Sequence, residues 1–416
     1  MLIDSDKVIW NSFKKLSFRF LFSYFFIYIL IPDSFYPLAL INWISINLFN
    51  LGSIEIFPNG SGDTTYNYIQ IFTILILALV STLLWTIIDK NRDNYVKLNY
   101  WFRLVLRYYL AYILISYGSV KVFKTQFPFP DLLDLDKKLG DISPMGLVWY
   151  FMGYSNSYNI FTGLGEMIGG TLLFSRRLTT LASIINIAVL SNVFMLNMSY
   201  DIPVKISSFH LLLISIILIM NDFVRCFKFF ILNTAIEKVD FFKPFKSKRA
   251  DLVSGIFKII IISFLLYTSI FSGINSLNKY GDNRPKPEMY GMYEVEIFKV
   301  NNQEIAPILT DEKRWKKLFI DRDFVAIKYM NDKKDFYDID INKKEGKIVF
   351  NQKKYAYDKE NYISTIKFDY KENNDYLILS KDIDSKKTEI KLKRVDLSKL
   401  NLYRGFNWIN EYPFNR

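Results

Sequence analysis

Glu166 is an acidic residue near the middle of an apolar segment, residues 158–174, within the glycine-rich sequence GLGEMIGG. A carboxylate at that depth in a membrane helix costs roughly 3 kcal/mol on insertion scales, so it is usually paired, protonated or functional. The surrounding glycines allow a second helix to approach closely enough to supply a partner. Two hypotheses follow. Either Glu166 is a proton-relay or ligand-binding acid, or it fastens helices, with Gly165 and Gly169 as the close-packing pair.

Two further residues could act with this acid. Lys121 follows the apolar segment 104–120, and His210 lies about one and a half turns into the segment 204–220. We expect Glu166 to carry a proton, Lys121 to stabilise an anionic form of a ligand, and His210 to donate a hydrogen bond. The alternative for Lys121 is a snorkelling cation at the membrane interface. The alternative for His210 is a hydrogen-bonded packing residue.

Other polar residues could complete a ligand pocket that opens outward. The expected ligand-binding residues are Tyr117, Asn192, Asn197, Asp201 and Lys205. The asparagines could instead hydrogen-bond neighbouring helices. Asp201 and Lys205, four residues apart at a helix start, also suit a cap and a local ion pair. The sequence GSGD at 60–63 could cradle an ion or form a plain turn.

Composition excludes several kinds of chemistry. Cys226 is the only cysteine and His210 the only histidine among 416 residues. One chain therefore has no intramolecular disulfide, no haem held by two histidines and no multi-histidine metal site. Any redox role requires a bound quinone, a flavin or a partner protein. The net charge of +12 does not indicate nucleic acid, because much of the Lys and Arg flanks apolar segments, which is typical of membrane topology.

Seven apolar segments are long enough to be expected as membrane spans: 16–31, 68–88, 104–120, 158–174, 178–197, 204–220 and 252–271. Two others, 35–51 and 145–152, are expected to be interfacial or re-entrant helices. Basic residues in alternate loops place the N-terminus in the cytoplasm and the C-terminal part outside. The sequence therefore predicts a lipid-embedded, multi-pass protein of a bacterial cytoplasmic (inner) membrane.

The C-terminal part alternates apolar and charged residues in eight short segments separated by turn residues. The expected strands are 290–300, 315–320, 324–329, 336–341, 347–350, 363–368, 376–379 and 389–395. This pattern predicts an all-β antiparallel barrel or sandwich. The expected domains are 1–103, an N-terminal membrane segment; 104–222, a four-helix membrane core; 223–282, a basic loop and last span; and 283–416, an extracytoplasmic β domain.

Three motifs of the membrane core occur together: YGSVK at 117–121, GEMIGG at 165–170, and Arg176-Arg177 followed by LTTL. Through these motifs residues 104–222 resemble the DoxX family, small four-helix membrane proteins associated with quinone-linked oxidoreductase complexes. The whole chain also resembles a longer bacterial subgroup with an added C-terminal domain, through NGSGDTTYNY at 59–68 and the ending EYPFNR at 411–416.

Two hypotheses for function remain. In the first, the protein binds a quinone-like or small apolar ligand near Glu166 and His210, as the membrane subunit of an oxidoreductase. In the second, it is a non-enzymatic scaffold or assembly factor whose outer β domain binds an exported protein partner. The sequence leaves open whether the chain itself catalyses a reaction.

Overall fold

The chain divides into two compact units. A computed structural model describes residues 9–31, 38–56, 60–237, 242, 244, 247–353, 362–373, 375–383 and 386–415. The first unit comprises Met1–Phe127 and Pro144–Ser276, and the second comprises Pro128–Ser143 and Leu277–Arg416. The expected core domain 104–222 thus contains a segment, 128–143, that belongs with the C-terminal unit.

The first unit is helical. In chain order, the α-helices of the described residues are α1 Ser12–Leu30, α2 Leu38–Phe49, α3 Thr65–Ile88, α4 Val96–Val122, α5 Leu132–Leu135, α6 Pro144–Tyr154, α7 Asn156–Leu172, α8 Thr179–Ser199, α9 Lys205–Met220, α10 Phe223–Phe230 and α11 Lys248–Lys279. α5 lies in the second unit, α11 crosses from the first unit into the second after Ser276, and the other helices lie in the first unit. Of the expected interfacial segment 35–51, residues 35–37 lie outside the described residues, as do Asn59 and Arg416 of the two quoted motifs.

Apolar stripes join these helices in pairs. On α4, Leu106, Leu110 and Leu114 are buried at a spacing of four residues, which places them on one helix face. α4 packs along α7, α8 along α9, and α1 along α3. One apolar core includes buried residues of α1, α3, α4, α8 and α9, and Leu172 at the end of α7 packs against it. Glu166 and Lys121 therefore lie on two directly packed helices, α7 and α4.

Fewer helices qualify as membrane spans than the sequence predicts. Among the described residues, three helical stretches are long and apolar enough to cross a membrane: Thr65–Ile88, Arg176–Ser199 and Lys248–Lys279. α9 and α10 together would make a fourth, but the pair is bent by 76°. The expected count of about seven spans is therefore not supported.

The other expected spans form helices that are too charged or too short to qualify as membrane spans by themselves. α1 carries Lys14, Lys15 and Arg19, α7 has 17 residues, and α4 includes Arg107 and Lys121. Charged and short segments of this kind are poor isolated spans.

Two of the buried arginines bind carbonyl groups at helix ends. Arg107 Nε donates to the Leu173 carbonyl, just after α7, at 2.7 Å. Arg19 Nη2 donates to the Asp89 carbonyl, just after α3, at 2.9 Å. The last carbonyls of a helix have no partner within it, and the negative end of the helix dipole favours a cation there. These arginines therefore connect helices to one another.

The second unit is an antiparallel β-barrel. Its strands are β1 Gly291–Val300, β2 Gln303–Glu304, β3 Trp315–Ile320, β4 Val325–Tyr329, β5 Lys334–Asn342, β6 Lys347–Lys353, β7 Tyr362–Asn373, β8 Tyr376–Ile383 and β9 Lys386–Arg394. β2 is a two-residue extension paired to the end of β1. The other eight follow one another in order, and β1 also pairs with β9, which closes the barrel. The expected eight strands are confirmed, as a barrel rather than a sandwich.

Large apolar side chains fill the barrel. Tyr337, Phe350, Leu318 and Leu379 are buried in one cluster contributed by the barrel strands. Successive side chains of a strand point to opposite faces. Phe319, between Leu318 and Ile320, accordingly belongs to a second cluster on the outer face of the wall.

A segment of the chain between α4 and α6 covers that outer face. We call residues 128–143 the strap. Leu132 is completely buried against Phe319, Ala326 and Met292. Its backbone N–H donates to Asp321 Oδ2 at 2.6 Å. The strap is therefore part of the barrel unit's own core.

Two lysines of the barrel wall bind the strap through one carboxylate. Asp136 Oδ1 lies 2.8 Å from Lys317 Nζ, and Asp136 Oδ2 lies 2.8 Å from Lys328 Nζ. All three side chains are largely shielded from solvent. Shielded, charge-assisted contacts of this kind are stronger than exposed ion pairs.

Candidate functional site

Lys121 and Glu166 form a buried ion pair between α4 and α7. Lys121 Nζ donates to Glu166 Oε1 at 2.6 Å and to Oε2 at 2.8 Å. Both residues are buried. Because both carboxylate oxygens bind the ammonium group, the negative charge of Glu166 is compensated within the helical unit. Two of the three residues expected to be catalytic are thus in direct contact.

Glycines bring the two helices together beside this pair. A Cβ atom on Gly118 would lie 2.6 Å from the Gly163 carbonyl oxygen, and one on Gly163 would lie 2.6 Å from the Gly118 carbonyl oxygen. No side chain fits at such distances, so the backbones of α4 and α7 touch here. Gly118 precedes Lys121 by three residues, and Gly163 precedes Glu166 by three, so each glycine shares a helix face with its charged residue.

The close-packing glycines differ from the expected pair. A Cβ on Gly165 would meet only Val189, at an ordinary 3.6 Å. Gly163 and Gly170 face α4 instead, and Gly169 faces Asn186 of α8. The interpretation of Gly165 and Gly169 as the close pair was therefore wrong for Gly165. Gly163 and Gly170 are seven residues apart, which returns them to the same helix face.

Polar groups of α8 face the other side of α7. Asn186 Nδ2 donates to the Gly169 carbonyl at 3.4 Å. Asn186 Oδ1 and Ser183 Oγ are buried without a hydrogen-bond partner among the described residues. A buried polar group that lacks a partner is uncommon and calls for an explanation such as a bound water, an ion or a functional role. Neither was among the expected site residues, although their spacing of three on an apolar helix is a detectable signal.

His210 lies in a separate aromatic environment. Its Nδ1 is 2.7 Å from the Ile206 carbonyl oxygen, and its Nε2 is 2.7 Å from the Tyr24 hydroxyl. Because a carbonyl only accepts, Nδ1 carries a proton, and Nε2 of the neutral ring accepts from Tyr24. The Tyr28 ring stacks on the imidazole with centroids 4.3 Å apart.

These contacts do not join His210 to the ion pair. The partners of His210 come from α1 and α9, whereas those of Glu166 come from α4. Within the described part of the chain, no hydrogen bond links His210 to Glu166 or Lys121. The expected group of three therefore divides into an ion pair and a separate histidine. Both ring nitrogens of His210 have hydrogen-bond partners within the helices, which agrees with a packing residue.

The expected ligand-binding residues do not line one pocket. Tyr117 is 49% exposed, on the outside of α4. Asn192 is exposed on α8. Asn197 is buried and donates to Ser208 Oγ at 2.9 Å, joining α8 to α9. Asp201 is 88% exposed at its side chain. Of the two expected asparagines, only Asn197 thus hydrogen-bonds a neighbouring helix, which was the alternative to ligand binding.

Lys205 belongs to a junction that involves the GSGD sequence. Its backbone N–H and that of Ile206 donate to Asp63 Oδ2 and Oδ1, at 2.7 and 3.0 Å. Lys205 Nζ also lies 3.1 Å from Asp201 Oδ1 and 3.7 Å from Asp63 Oδ2. Asp63 therefore caps α9 from the loop before α3. The carboxylate occupies the place where an external anion would bind a helix N-terminus.

Comparisons with known proteins add little to this geometry. No family model matches the chain, and no solved structure matches it. Among curated proteins, the chain is similar to the uncharacterized protein YwoB of Bacillus subtilis (strain 168). The two are 29% identical over 125 residues, which is 28% of this chain and 73% of that protein. That name states no activity, so functional conclusions depend on the residues described above.

Proposed function

We propose that this protein is a multi-pass protein of a bacterial cytoplasmic membrane that acts as a scaffold or assembly factor. In this proposal the helical unit is embedded in lipid with the N-terminus in the cytoplasm. The barrel is held on the outer side, where it binds an exported protein partner. The activity of the chain is binding rather than catalysis.

Exposed apolar helices support the membrane location. α11 is a span candidate of 32 residues whose apolar window has no buried residue. Ile259, Phe264 and Tyr267 are each more than half exposed. Apolar surface of this extent is unfavourable in water and is typical of membrane or protein contact. A lipid environment accounts for it without a further partner.

The strap is the observation that carries the scaffold proposal. The chain leaves the helical unit after α4, contributes Leu132 to the barrel unit, and returns to the helical unit before α6. The barrel unit is joined again through α11. The chain therefore crosses between the two units three times, after Phe127, Ser143 and Ser276, whereas a simple tandem order would need one crossing. This connectivity supports a barrel that is tethered to the helical unit by more than one peptide link.

The ion pair favours a second function, binding of a quinone-like ligand as the DoxX-like membrane subunit of an oxidoreductase. Charged groups within an apolar helical bundle are costly, which makes functional use a reasonable expectation. On α8, which packs against α7, Ser183 Oγ and Asn186 Oδ1 have no hydrogen-bond partner among the described residues and add polar groups near the pair. Electrons would come from a partner protein, since the sequence itself provides no redox group.

Site-specific photo-crosslinking in intact cells tests the scaffold proposal. A photoreactive amino acid is placed at exposed positions around the barrel, such as Lys333 and Lys344, and at exposed helical positions as controls, such as Leu252 and Ile88. The expected result is one discrete adduct from barrel positions that is weakened by Leu132→Asp, which disrupts strap contact. Adducts confined to helical positions, or none from the barrel, would contradict the scaffold.

Direct ligand binding tests the second function. Wild-type protein and Glu166→Gln are purified and titrated with a short-chain quinone. Saturable binding that the variant weakens supports a membrane redox subunit. If neither protein binds, that function is ruled out.

A further inference from the structure

β7 and β8 pair with each other along only part of their length. The two strands pair from Asp369–Ser380 to Asn373–Tyr376. β7 extends back to Tyr362, and β8 extends forward to Ile383. Among the described residues, Ile363–Phe368 of β7 and Lys381–Ile383 of β8 form no strand pairing with each other. We call these two unpaired stretches the seam.

Backbone directions show which groups are available at the seam. The Tyr370 N–H donates to the Gly346 carbonyl at 2.8 Å, on the β6 side. Successive residues of a strand direct their backbone groups to opposite sides, so those of Lys367 and Thr365 point away from β6. Both residues are exposed. The open edge of β7 therefore presents N–H and C=O groups to solvent in the spacing of a strand.

Free strand edges are sites where another strand can pair. Proteins usually shorten, cover or charge such edges, because an unpaired edge recruits other chains. β7 is the longest strand of the barrel, with 12 residues, and its open portion carries Ile363, which is 63% exposed. Extended peptides bind comparable edges in several recognition domains through main-chain hydrogen bonds. The seam has the backbone geometry that this mode requires.

Charge at the inner side of the seam restricts the partner. Leu377 and Leu379 of β8 point into the barrel, so Lys381 lies on the same face. Its Nζ lies 5.2 Å from the Phe368 ring centroid. Lys381 is partly buried, and no carboxylate pairs with it among the described residues. Burial lowers the pKa of this lysine. An acidic side chain next to it would compensate the charge.

The outer side of the seam sets no such preference, because Lys367 and Asp382 carry opposite charges there. A second copy of this chain is a poor match. The open portion of β7, ISTIKF at 363–368, contains no acidic residue. Pairing of two β7 edges would leave Lys381 without a counter-charge from that strand.

We propose that the seam binds an extended segment of a partner polypeptide, which pairs with the open edge of β7 and presents an acidic side chain to Lys381. This inference depends on the proposed function, since it names where and how the barrel would hold its partner. The main chain of the segment supplies affinity, and the acidic residue supplies selectivity.

Defined peptides bound to the full-length protein in detergent micelles test this site. The probe is a fluorescein-labelled peptide that alternates valine and glutamate, and its control has glutamine for glutamate. Thr365→Pro removes the backbone N–H of residue 365 from the open edge, and this N–H does not point to β6. Thr365→Ala is the matched control, because it keeps that backbone N–H. We expect Thr365→Ala to bind as wild type and Thr365→Pro to bind about tenfold more weakly.

Lys381→Met provides a second variant that keeps an apolar stem over Phe368. We expect it to weaken the glutamate peptide about threefold to tenfold and to leave the glutamine peptide unchanged. Binding that is the same in wild type, Thr365→Pro and Lys381→Met, or absent in wild type, would overturn the seam proposal. So would concentration-dependent dimerisation of the chain that Thr365→Pro abolishes, because the occupant would then be a second copy.

The two proposals fail in different ways. If no barrel position cross-links to a partner in cells, the scaffold function fails and the seam loses its role. If barrel adducts form but remain unchanged in Thr365→Pro and Lys381→Met, the scaffold function stands and the seam alone is wrong.

Discussion

Lys121 Nζ lies 2.6 and 2.8 Å from the two carboxylate oxygens of Glu166, one turn beyond the point where α4 and α7 touch through glycines. α4 and α7 run antiparallel, since Gly118 meets Gly163 while Ala111 meets Gly170. Long helical side chains lean toward the N-terminus of their own helix. The lysine and the glutamate therefore lean toward each other across the glycine contact.

Removal of one partner of this pair should destabilise the helical unit strongly. A single buried charge left without its partner typically lowers the free energy of unfolding by about 3–5 kcal/mol. We expect this loss for Lys121→Met and for Glu166→Leu, measured by reversible unfolding in mixed micelles. The double variant should be near wild type, because apolar replacement of both members is often neutral. If the double variant loses as much free energy of unfolding as the two single variants together, the two residues are not coupled.

The glycine contact gives a prediction with a control on the same helix. Gly163→Ala places a Cβ 2.6 Å from a carbonyl oxygen of α4, whereas Gly165→Ala places one 3.6 Å from Val189. Overpacking of this kind lowers the free energy of unfolding by about 1–3 kcal/mol. We expect that loss for Gly163→Ala and little change for Gly165→Ala in the same micelle assay. Equal effects would mean that helix propensity, not the interhelical contact, decides the outcome.

Helical periodicity could have improved the prediction of the site. The buried residues of α8 include Ser183, Asn186 and Leu190, at spacings of three and four. Asn192 is six positions beyond Asn186 and therefore points in another direction. The sequence analysis weighed residue type and depth but not the helix face. For that reason it included the exposed Asn192 and omitted Ser183.

Long-range partners could not be predicted from the sequence. His210 binds Tyr24, which lies in another helix at a separation of 186 residues, and no local pattern encodes that contact. The sequence of the strap is typical of a charged loop, and a single leucine such as Leu132 does not indicate a buried position there. The barrel strands were predictable because alternation is local. Closure of the barrel through β1 and β9 was not predictable in this way, because it pairs residues that are 88 to 101 positions apart, from Val300–Thr388 to Tyr293–Arg394.

Asp131, at the start of the strap, should make the barrel unit sensitive to pH. Burial first, and then the charges of Asp134 and Asp321, raise the pKa of Asp131 to about 6. An acid whose pKa is raised on folding destabilises the fold when ionised, so stability falls as pH rises from about 4 to 6. The barrel's thermal transition should therefore move upward on acidification from about pH 7 to 5. Asp131→Asn, which keeps a good helix cap, should lack this dependence.

Asp136 provides the contrast on the same strap. Burial raises its pKa, but hydrogen bonds and charge from Lys317 and Lys328 outweigh this and hold the pKa of Asp136 below its ordinary value. Its stabilising effect is complete above the ordinary carboxyl pKa and is lost only as pH falls below about 4. Asp136→Asn should thus lower the barrel's transition temperature by a similar amount at every pH from about 5 to 7. The slope of transition temperature against pH should stay as in wild type. Calorimetry measures the transition temperatures of both variants. The barrel's transition is recognised as the one that Leu132→Ala lowers, because Leu132 is buried in the barrel unit. If Asp131→Asn keeps the wild-type slope of transition temperature against pH, Asp131 is not the residue that causes the pH dependence.

The cap that Asp63 supplies to α9 should matter more than the ion pair of Asp201, although both carboxylates lie near Lys205. Asp63 accepts two backbone hydrogen bonds at the start of a helix, where its charge also favours the dipole. Loss of such a cap lowers the free energy of unfolding by about 0.5–2 kcal/mol. The Asp201 side chain is 88% exposed and, among the described residues, bonds only the flexible lysine ammonium, an arrangement that contributes little to stability. We therefore expect Asp63→Ala to lower the unfolding midpoint in micelles and to increase hydrogen exchange at the start of α9. Asp201→Asn, which removes the charge and suits the left-handed backbone at φ +52°, should change neither. If the two variants behave alike, the junction is held by Lys205 rather than by the cap.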